Sequence, residues 1–586
     1  MTLIYLASFE CQVISSSLLA LATLLDVLIG AKLEKPSFED SNHQVKKVSK
    51  AQDMAISSAK SLFLSHHYFL DFLKSESPVI RSATYTVLRS FIKNISEVFS
   101  EDDVKGLATT VLGAFQEKDR YCYVALWETF LLFSRRFPGS WSYINFQKTF
   151  LNRFWQFLRN GCFGSQQVSY PTLVLLLDAL PPEVVGGLKF FVDFFQNLWA
   201  GRNASHPTVA DRLAFFVALK ECFLWVLNNC GRYCNGEDAV YNFSLSLVDN
   251  VLVKLLWHDF LNYSEARHDD ISKSSNGDTF SENFKLLDKS LPEIKQGQLH
   301  DLGQCMIDVC SNIHSLGSNL LTPFCEAFKG CCLETFEQTE PVKRASGNVE
   351  RAIKFLLLVA KYTDLEFDSW PLNYLVGPML ERSLPLIISH DSPEVVQFLS
   401  VAVSIFGPWK IVLRLIPIEE FSDGCATEIS EGREVNKFLK VFEETFVSWC
   451  FSGSECSVNA CLDLLLALLD DECFNEQWDI IISHAANMYH SSTSHIQRLA
   501  MLVEKARKVT MKKSKFDDNG NCQFAHLQHE RLDAIAISIM QNASQFADSG
   551  LHFIRSVLGG TTEDDGTSFL SKSAVNQITE KPLENL

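Results

Sequence analysis

Apolar residues recur at helical spacing along most of the chain, and the alternating patterns that predict strands are almost absent. Within residues 51–73, for example, Ala55, Ala59 and Leu62 fall on one helical face. Short polar or Pro/Gly breaks separate most such segments, which favours antiparallel neighbours. We therefore predict an all-α fold. The other amphipathic segments are residues 140–160, 211–229, 348–361, 434–450, 458–469 and 527–541.

Two segments resemble the second helix of a HEAT-type repeat. Residues 77–83 and 391–396 each place a polar cap before a proline that suits the first helical turn, and apolar residues at helical spacing follow. Arg81 keeps the basic position of that pattern, whereas Gln397 lies near its counterpart in the second segment. The sequence shows no strict repeat period, so it predicts an irregular HEAT/ARM-like helical-repeat solenoid.

Polar stretches divide the chain into two helical parts and a tail. Residues 265–280 are predicted to form a mobile linker between a first helical-repeat segment, 1–264, and a second one, 281–558. Residues 559–586 contain few large apolar side chains, which predicts a flexible tail.

An apolar run near the amino terminus could be read in two ways. Residues 13–31 are about long enough to span a bilayer. Asp26 lies inside this run and no basic residue precedes it, which favours a buried first helix of the array. A membrane-anchored protein is the less favoured alternative.

Composition limits the classes of function. The formal net charge of −18 argues against the whole chain being a nucleic-acid binder, because phosphate would be repelled. The hydrophobic content of 47% excludes wholesale disorder. The 17 cysteines are odd in number and scattered through apolar helices, as at Cys222, Cys305, Cys310 and Cys461, so we predict buried free thiols and a cytosolic protein.

The motifs of catalysis and metal binding are missing. A RING domain holds zinc with paired cysteine and histidine ligands, normally in Cys-x-x-Cys units, and the sequence contains no such unit. Cys162 between Gly161 and Gly164 could suggest a nucleophile, but no preceding strand or base accompanies it, which favours a structural turn. We predict no catalytic, cofactor-binding or metal-binding residue in this chain.

A basic cluster interrupts the acidic background near the end of a predicted helix. It is either a solvated helix terminus, where cations are favourable, or a contact for RNA or an acidic partner. Its members are Lys505, Arg507, Lys508, Lys512, Lys513 and Lys515.

Residues 154–183 predict a helix–loop–helix, in which Gly161 and Gly164 can adopt positive φ and Pro171 suits a first helical turn. The sequence of this segment resembles the middle of listerin, a family of E3 ubiquitin ligases, and is closest to plant-type members. Residues 81–85 (Arg-Ser-Ala-Thr-Tyr) and the pair at 127–128 (Trp-Glu) resemble the same family in the same order.

The resemblance implies a helical scaffold in ribosome-associated quality control. Listerins dock on large ribosomal subunits that carry stalled peptidyl-tRNA, together with a partner that recognises it, and a carboxyl-terminal RING recruits the E2. The RING is not visible here, so we expect an internal or truncated portion, lacking part of the usual amino-terminal region and inactive alone, with zinc only in the missing RING.

The helix–loop–helix also suggests a docking loop. Its polar part, Ser165, Gln166 and Gln167, is expected to be exposed and to contact the ribosomal complex, unless the loop is purely structural. The alternative function for the whole chain is a generic HEAT/ARM adaptor in trafficking or transport, which composition and periodicity do not separate from a listerin.

Overall fold

A computed structural model describes residues 2–30, 42–202, 208–262, 295–337, 346–363 and 370–377, together with residues 398, 401–402, 405–406 and 466. Every regular element in these residues is helical, which confirms the predicted all-α fold. The chain divides into two compact units, residues 1–323 and 324–586.

Several predicted features lie outside the described residues. They include the linker at 265–280, the second HEAT-type segment at 391–396, the helices at 434–450 and 527–541, and the tail at 559–586. Of the predicted helix at 458–469, only residue 466 is described. The predicted segment boundaries therefore stay a prediction.

The helices of the first unit have the following bounds. They are α1 (Thr2–Gly30), α2 (Asn42–Ser65), α3 (Pro78–Ile95), α4 (Glu101–Leu112), α5 (Tyr123–Arg136), α6 (Asn152–Arg159), α7 (Gln166–Ala179), α8 (Pro182–Val185), α9 (Leu188–Ala200), α10 (Val209–Asn229), α11 (Glu237–Leu247), α12 (His258–Asn262) and α13 (Lys295–Leu316). The π-helical segment Phe146–Leu151 precedes α6, and a second, Val248–Trp257, joins α11 to α12.

Three further helical elements follow α13. They are α14 (Thr322–Glu337), α15 (Ser346–Tyr362) and a π-helical segment, Pro371–Val376. In the second unit, Phe324 and Phe328 of α14 pack against Phe355 of α15, with ring centroids 5.7 and 6.3 Å apart. The predicted helix at 348–361 is thus confirmed within α15.

One layer of the first unit consists of α1, α3, α5, α7, α10 and α13, each in contact with the next. Hydrogen bonds show that α3 and α5 run parallel, because Cys122 Sγ donates to the Pro78 carbonyl (3.3 Å) and Thr129 Oγ1 to the Tyr85 carbonyl (2.8 Å). Both pairs are 44 residues apart in sequence.

The same register continues along this layer. Between α5 and α7, Ser134 Oγ donates to the carbonyl of Ala179, 45 residues on. Between α7 and α10, Gln167 pairs with Asp211, 44 residues on, whereas the contact from α10 to α13, Arg212 with Asp301, spans 89 residues. A step near 44 residues is typical of HEAT and armadillo repeats. The solenoid prediction is confirmed, and the contacts reveal a period that the sequence pattern did not.

A second layer carries the chain back between successive helices of the first. It includes α4, α6, α9 and α11, with α6 against α9 and α9 against α11. The space between the layers is filled by aromatic rings around Phe115, whose centroid lies 5.0 to 5.8 Å from five others. Those five are Trp127, Phe130, Phe150, Phe154 and Phe157.

The predicted helix at 51–73 is interrupted. Helix α2 ends at Ser65, and His67, Tyr68 and Phe69 adopt φ values of 48, 58 and 60° before a short 3₁₀ segment continues. Such left-handed backbone is unfavourable for bulky residues. A hydrogen bond helps to hold Tyr68 in this conformation, because its hydroxyl donates to Asp103 Oδ1 at 2.8 Å.

By length and composition alone, three helical stretches are long and apolar enough to cross a membrane: Glu10–Val27, Val209–Arg232 and Glu237–Asn262. The first of them lies within α1, which contacts α3. Leu18, Ala22 and Leu25 of α1 are buried. The expectation of a buried first helix is therefore confirmed for one face of α1.

Candidate functional site

The loop between α6 and α7 is a complete left-handed turn. Gly161, Cys162, Phe163 and Gly164 have φ values of 57, 54, 48 and 83°. The predicted positive φ of both glycines is confirmed. No local pattern predicted that Cys162 and Phe163 would share this conformation, which costs an L-residue roughly 1–2 kcal/mol.

Cys162 lies at the centre of this turn and is completely buried. Burial raises the pKa of the Cys162 thiol well above its ordinary value. A protonated, inaccessible thiol is a poor nucleophile. The structural reading of this cysteine is therefore favoured over a catalytic one.

A buried chain of hydrogen bonds connects the turn to α5. Trp127 Nε1 donates to Ser169 Oγ (3.0 Å), and Ser169 Oγ lies 2.7 Å from Ser165 Oγ. Ser165 Oγ in turn donates to the carbonyl of Cys162 (2.6 Å). Trp127 and residues 161–170, which carry the family resemblance, thus form one network at the joint between α5 and α7.

The structure corrects the expected exposure of two residues of the predicted docking loop. Ser165 and Gln166 are only 6% exposed, because Ser165 belongs to the buried network and Gln166 opens α7 beneath the turn. Gln167 is exposed, and its Nε2 donates to Asp211 Oδ1 of α10 at 2.6 Å. Pro171 lies inside α7 and not in its first turn, because the helix begins at Gln166.

Arg81, the first residue of the quoted Arg-Ser-Ala-Thr-Tyr run, joins two connecting segments of the chain. Its Nε and Nη2 donate to the two carboxylate oxygens of Glu117 at 2.8 and 3.0 Å. Its Nη1 donates to the carbonyls of Ser75 and Glu76 at 2.8 and 2.9 Å. Burial opposes ionisation of Glu117, but the bonds from Arg81 and from the amides of Asp119 and Lys118 prevail and lower its pKa.

A second charged group connects three helices of the first layer. Arg89 of α3 donates to Asp26 of α1 (3.2 Å) and to Glu128 of α5 (2.7 Å). Asp26 also accepts from Asn94 Nδ2 (2.7 Å) and Ser90 Oγ (3.2 Å). The aspartate that interrupts the apolar run of α1 is thus a packing contact.

Two predictions remain, one for the basic cluster and one for metal binding. The basic cluster from Lys505 to Lys515 lies outside the described residues. Within the part of the chain that the structure describes, no three His, Cys, Asp or Glu side chains are grouped so as to hold a metal ion.

The comparisons with known proteins bear on the same segment. Residues 8–180 match the family described as the listerin E3 ubiquitin-protein ligase, N-terminal domain. The listerins of Gallus gallus and Mus musculus are each 27% identical to the chain, over 248 and 245 residues. The Xenopus tropicalis listerin is 25% identical over 225 residues. Residues 8–180 are therefore similar to the amino-terminal domain of the listerin family.

The match covers only part of each protein. It includes 41% of this chain and 13% of the Gallus gallus and Mus musculus listerins, so the chain spans about an eighth of their length. The matched domain is the amino-terminal one of the listerin family, which corrects the expectation that residues 154–183 belong to the middle. The expected likeness to plant members stays a prediction.

A comparison with solved structures found Kap121p, in a crystal structure bound to Ste12p. It is 11% identical, with a TM-score of 0.25, and the match covers 97% of this chain and 57% of that one. A mutant of Kap121p gives the same TM-score and identity.

Proposed function

We propose that the chain is a helical scaffold of a listerin-type ubiquitin ligase in ribosome-associated quality control. In this role it docks on large ribosomal subunits that carry stalled peptidyl-tRNA, with the partner that recognises this state. A RING domain then recruits the E2 and transfers ubiquitin to the nascent chain. The catalytic contribution of the scaffold is positioning, which raises the effective concentration of the reacting groups.

One observation carries this proposal. The quoted family residues Trp127 and Ser169 meet in the buried network at the joint between α5 and α7, inside the segment that matches the listerin amino-terminal domain. The residues that carry the resemblance to listerins thus also hold two neighbouring repeats together. A regular array of parallel helices suits a spacer, because successive units present a continuous surface.

The first test is co-sedimentation of the chain with large ribosomal subunits that carry stalled peptidyl-tRNA, with the recognition partner added. We expect stoichiometric co-sedimentation. Failure of the parent chain to co-sediment would reject docking and favour the generic HEAT/ARM adaptor.

A charge-reversal pair tests the basic cluster. One variant changes the five lysines and the one arginine of the cluster to glutamate. The control variant makes the same change at five lysines and one arginine that are exposed in the first unit. If the cluster binds phosphate, only the first variant loses co-sedimentation, and its salt dependence weakens. Equal losses in both would show a bulk charge effect. The control residues are Lys74, Lys93, Lys105, Lys118, Arg120 and Lys148.

Gln167 is the exposed remainder of the predicted docking loop and is tested separately. Gln167→Ala is compared with Gln156→Ala, which alters an exposed glutamine on α6. A selective loss of co-sedimentation in the first variant would support a contact at the start of α7. Equal co-sedimentation of both variants and the parent would make this loop structural.

The cytosol is the proposed location. Buried free thiols such as Cys222, Cys305 and Cys310 fit a reducing compartment. We also expect no stoichiometric zinc and no ligase activity in the chain alone, since the sequence lacks Cys-x-x-Cys units. Metal analysis and an E1–E2–ubiquitin assay test this expectation, and either bound zinc or autoubiquitination would contradict it.

A further inference from the structure

The outward side of α6 and α9 carries a distinctive set of exposed side chains. Every exposed residue of these two helices, together with Asn160 at the end of α6, is an asparagine, a glutamine, a lysine or an arginine. None is acidic and none is apolar, although acidic residues outnumber basic ones by 70 to 52 in the whole chain. All of these side chains donate hydrogen bonds through nitrogen. Together they form the donor face: Asn152, Gln156, Arg159, Asn160, Lys189 and Gln196.

The two helices hold these side chains next to one another. Trp155 of α6 lies against Phe190 of α9, with ring centroids 5.5 Å apart. Further along both helices, Arg159 of α6 bonds to Asn197 of α9. The two helices are therefore parallel neighbours. The donor face extends about 20 Å along α9 at 1.5 Å per residue, and neighbouring helix axes are about 8–10 Å apart, so several groups of one ligand fit on it.

The two charged groups of the donor face are available to a ligand. Arg159 donates through Nε to Asn197 Oδ1, which orients its guanidinium. Among the residues that the structure describes, neither the other two nitrogens of Arg159 nor Lys189 Nζ has a hydrogen bond or an ion pair. A guanidinium that is already oriented loses less freedom when it binds an anion.

The surrounding segment is basic within an acidic chain. Residues 141–202 contain five basic and three acidic residues, a net charge of +2, whereas the whole chain carries −18. Asp193, the one acidic residue of α6 and α9, is not among their exposed residues. Charges further away than about 8 Å are largely screened at physiological ionic strength. The acidic residues elsewhere therefore oppose an anion only weakly at this face.

We propose that the donor face binds the sugar–phosphate backbone of RNA on the large ribosomal subunit, an inference that rests on the proposed scaffold function. Phosphate and ribose oxygens accept hydrogen bonds, and lysine, arginine, asparagine and glutamine are among the side chains that donate to them. An acidic protein would also attract the two cations, but protein interfaces normally have aromatic or apolar anchors at their centre. The donor face has no exposed apolar side chain, which favours RNA.

Fluorescence anisotropy with a short labelled RNA duplex tests this contact. The variant combines Arg159→Glu with Lys189→Glu. The control combines Arg120→Glu with Lys93→Glu, which changes the net charge equally at exposed positions outside the donor face. Two lost phosphate contacts should lower the salt slope by about two, so that between about 50 and about 200 mM salt the Kd changes about tenfold less than in the parent. The control should keep the slope of the parent.

Two single variants make the result independent of folding and of amide loss. Arg159→Glu also removes the bond to Asn197, whereas Lys189→Glu leaves every bond of α6 in place and should lower the salt slope by about one. Gln156→Ala removes an amide but no charge, so it should leave the slope unchanged. Circular dichroism compares the folding of all variants with that of the parent.

Three results of the binding assay would overturn the proposal. The parent could fail to bind the duplex. The double variant could keep the salt slope of the parent, which would place the RNA contact elsewhere. The parent could bind a poly-glutamate peptide and not RNA, with loss in the double variant, which would make an acidic protein the partner.

Co-sedimentation with large ribosomal subunits separates this inference from the proposed function. If the double variant co-sediments as well as the parent at every salt concentration, the scaffold docks through another surface and the inference fails. If the parent binds the duplex through the donor face but does not co-sediment, the proposed function fails and the RNA contact stands. Loss of co-sedimentation in the double variant and not in the control supports both.

Discussion

Removal of the Arg81 side chain should be among the most damaging single changes in the first unit. Arg81 and Glu117 form a bidentate pair, with side chains that are 16 and 7% exposed. Replacing Arg81 with methionine keeps the apolar stem but leaves the Glu117 carboxylate buried without its counter-ion. It also removes the donors to the carbonyls of Ser75 and Glu76.

Breaking a buried pair from one side costs about 3–5 kcal/mol. Glu117 keeps its bonds from the amides of Lys118 and Asp119, at 3.0 and 2.9 Å, so we expect the lower end of that range, about 3 kcal/mol. Arg81→Lys should lose less, because it retains the charge but not the planar bidentate geometry.

Urea unfolding at neutral pH measures these losses. The control is Lys74→Met, which removes the cation of an exposed pair with Asp71, whose side chains are 79 and 75% exposed. Exposed pairs contribute little, so this variant should unfold like the parent. A loss below about 1 kcal/mol in Arg81→Met would refute the reasoning, because it would mean that the pair contributes no more than a surface contact.

The pH dependence gives an independent check. The folded-state pKa of Glu117 lies below its ordinary value. The stability that its ionised form contributes is therefore fully present above the unfolded-state pKa, and it is lost as the pH falls through the folded-state pKa. As the pH falls through the folded-state pKa of Glu117, the free energy of unfolding should decrease less in Arg81→Met than in the parent. An unchanged acid-side profile would contradict the assigned role.

Three further changes test the core, the network and the turn. Leu88→Ala should lower the free energy of unfolding by about 2–5 kcal/mol, since Leu88 is completely buried, whereas Leu175→Ala at a 45% exposed position of α7 should cost far less. Ser169→Ala removes the acceptor of Trp127 Nε1, and a buried unpaired donor costs about 1–3 kcal/mol, measurable by tryptophan fluorescence during unfolding. Gly164→Ala should cost about 1–2 kcal/mol from φ alone, because no atom lies within 4 Å of the added methyl group.

Each of these changes has an internal control. Ser142→Ala removes an exposed hydroxyl that bonds only to the Gly139 carbonyl, so it should be neutral. Gly139→Ala adds a methyl group into open space without a positive φ. If Gly139→Ala proved as costly as Gly164→Ala, the left-handed conformation would not be the cause. If Leu88→Ala were neutral, the assigned core face of α3 would be wrong.

The positions of the uninterrupted α-helices could be predicted from the local sequence. Pro78 after Ser77 marks the start of α3, and Val209–Asn229 matches the predicted segment 211–229 closely. These elements follow from side-chain spacing and cap chemistry, which are local properties.

The turns were harder to predict because tertiary contacts stabilise them. The left-handed conformations of Cys162 and Tyr68 oppose their own preferences, and packing overrides that cost. The predicted exposure of Ser165 and Gln166 was wrong for a related reason. Polar residues in a loop suggest contact with water, but Ser165 finds its partners in Ser169 and in the Cys162 carbonyl.

The 44-residue step has a consequence for insertions and deletions. The paired residues of α3 and α5, and of α5 and α7, are 42 to 45 positions apart, so the turns between these helices absorb differences of a few residues without moving the contacts. A residue lost inside α5 would instead rotate every later side chain of that helix by about 100° and misplace them all. Length changes between relatives should therefore fall in the turns, and the order of the layer should survive them.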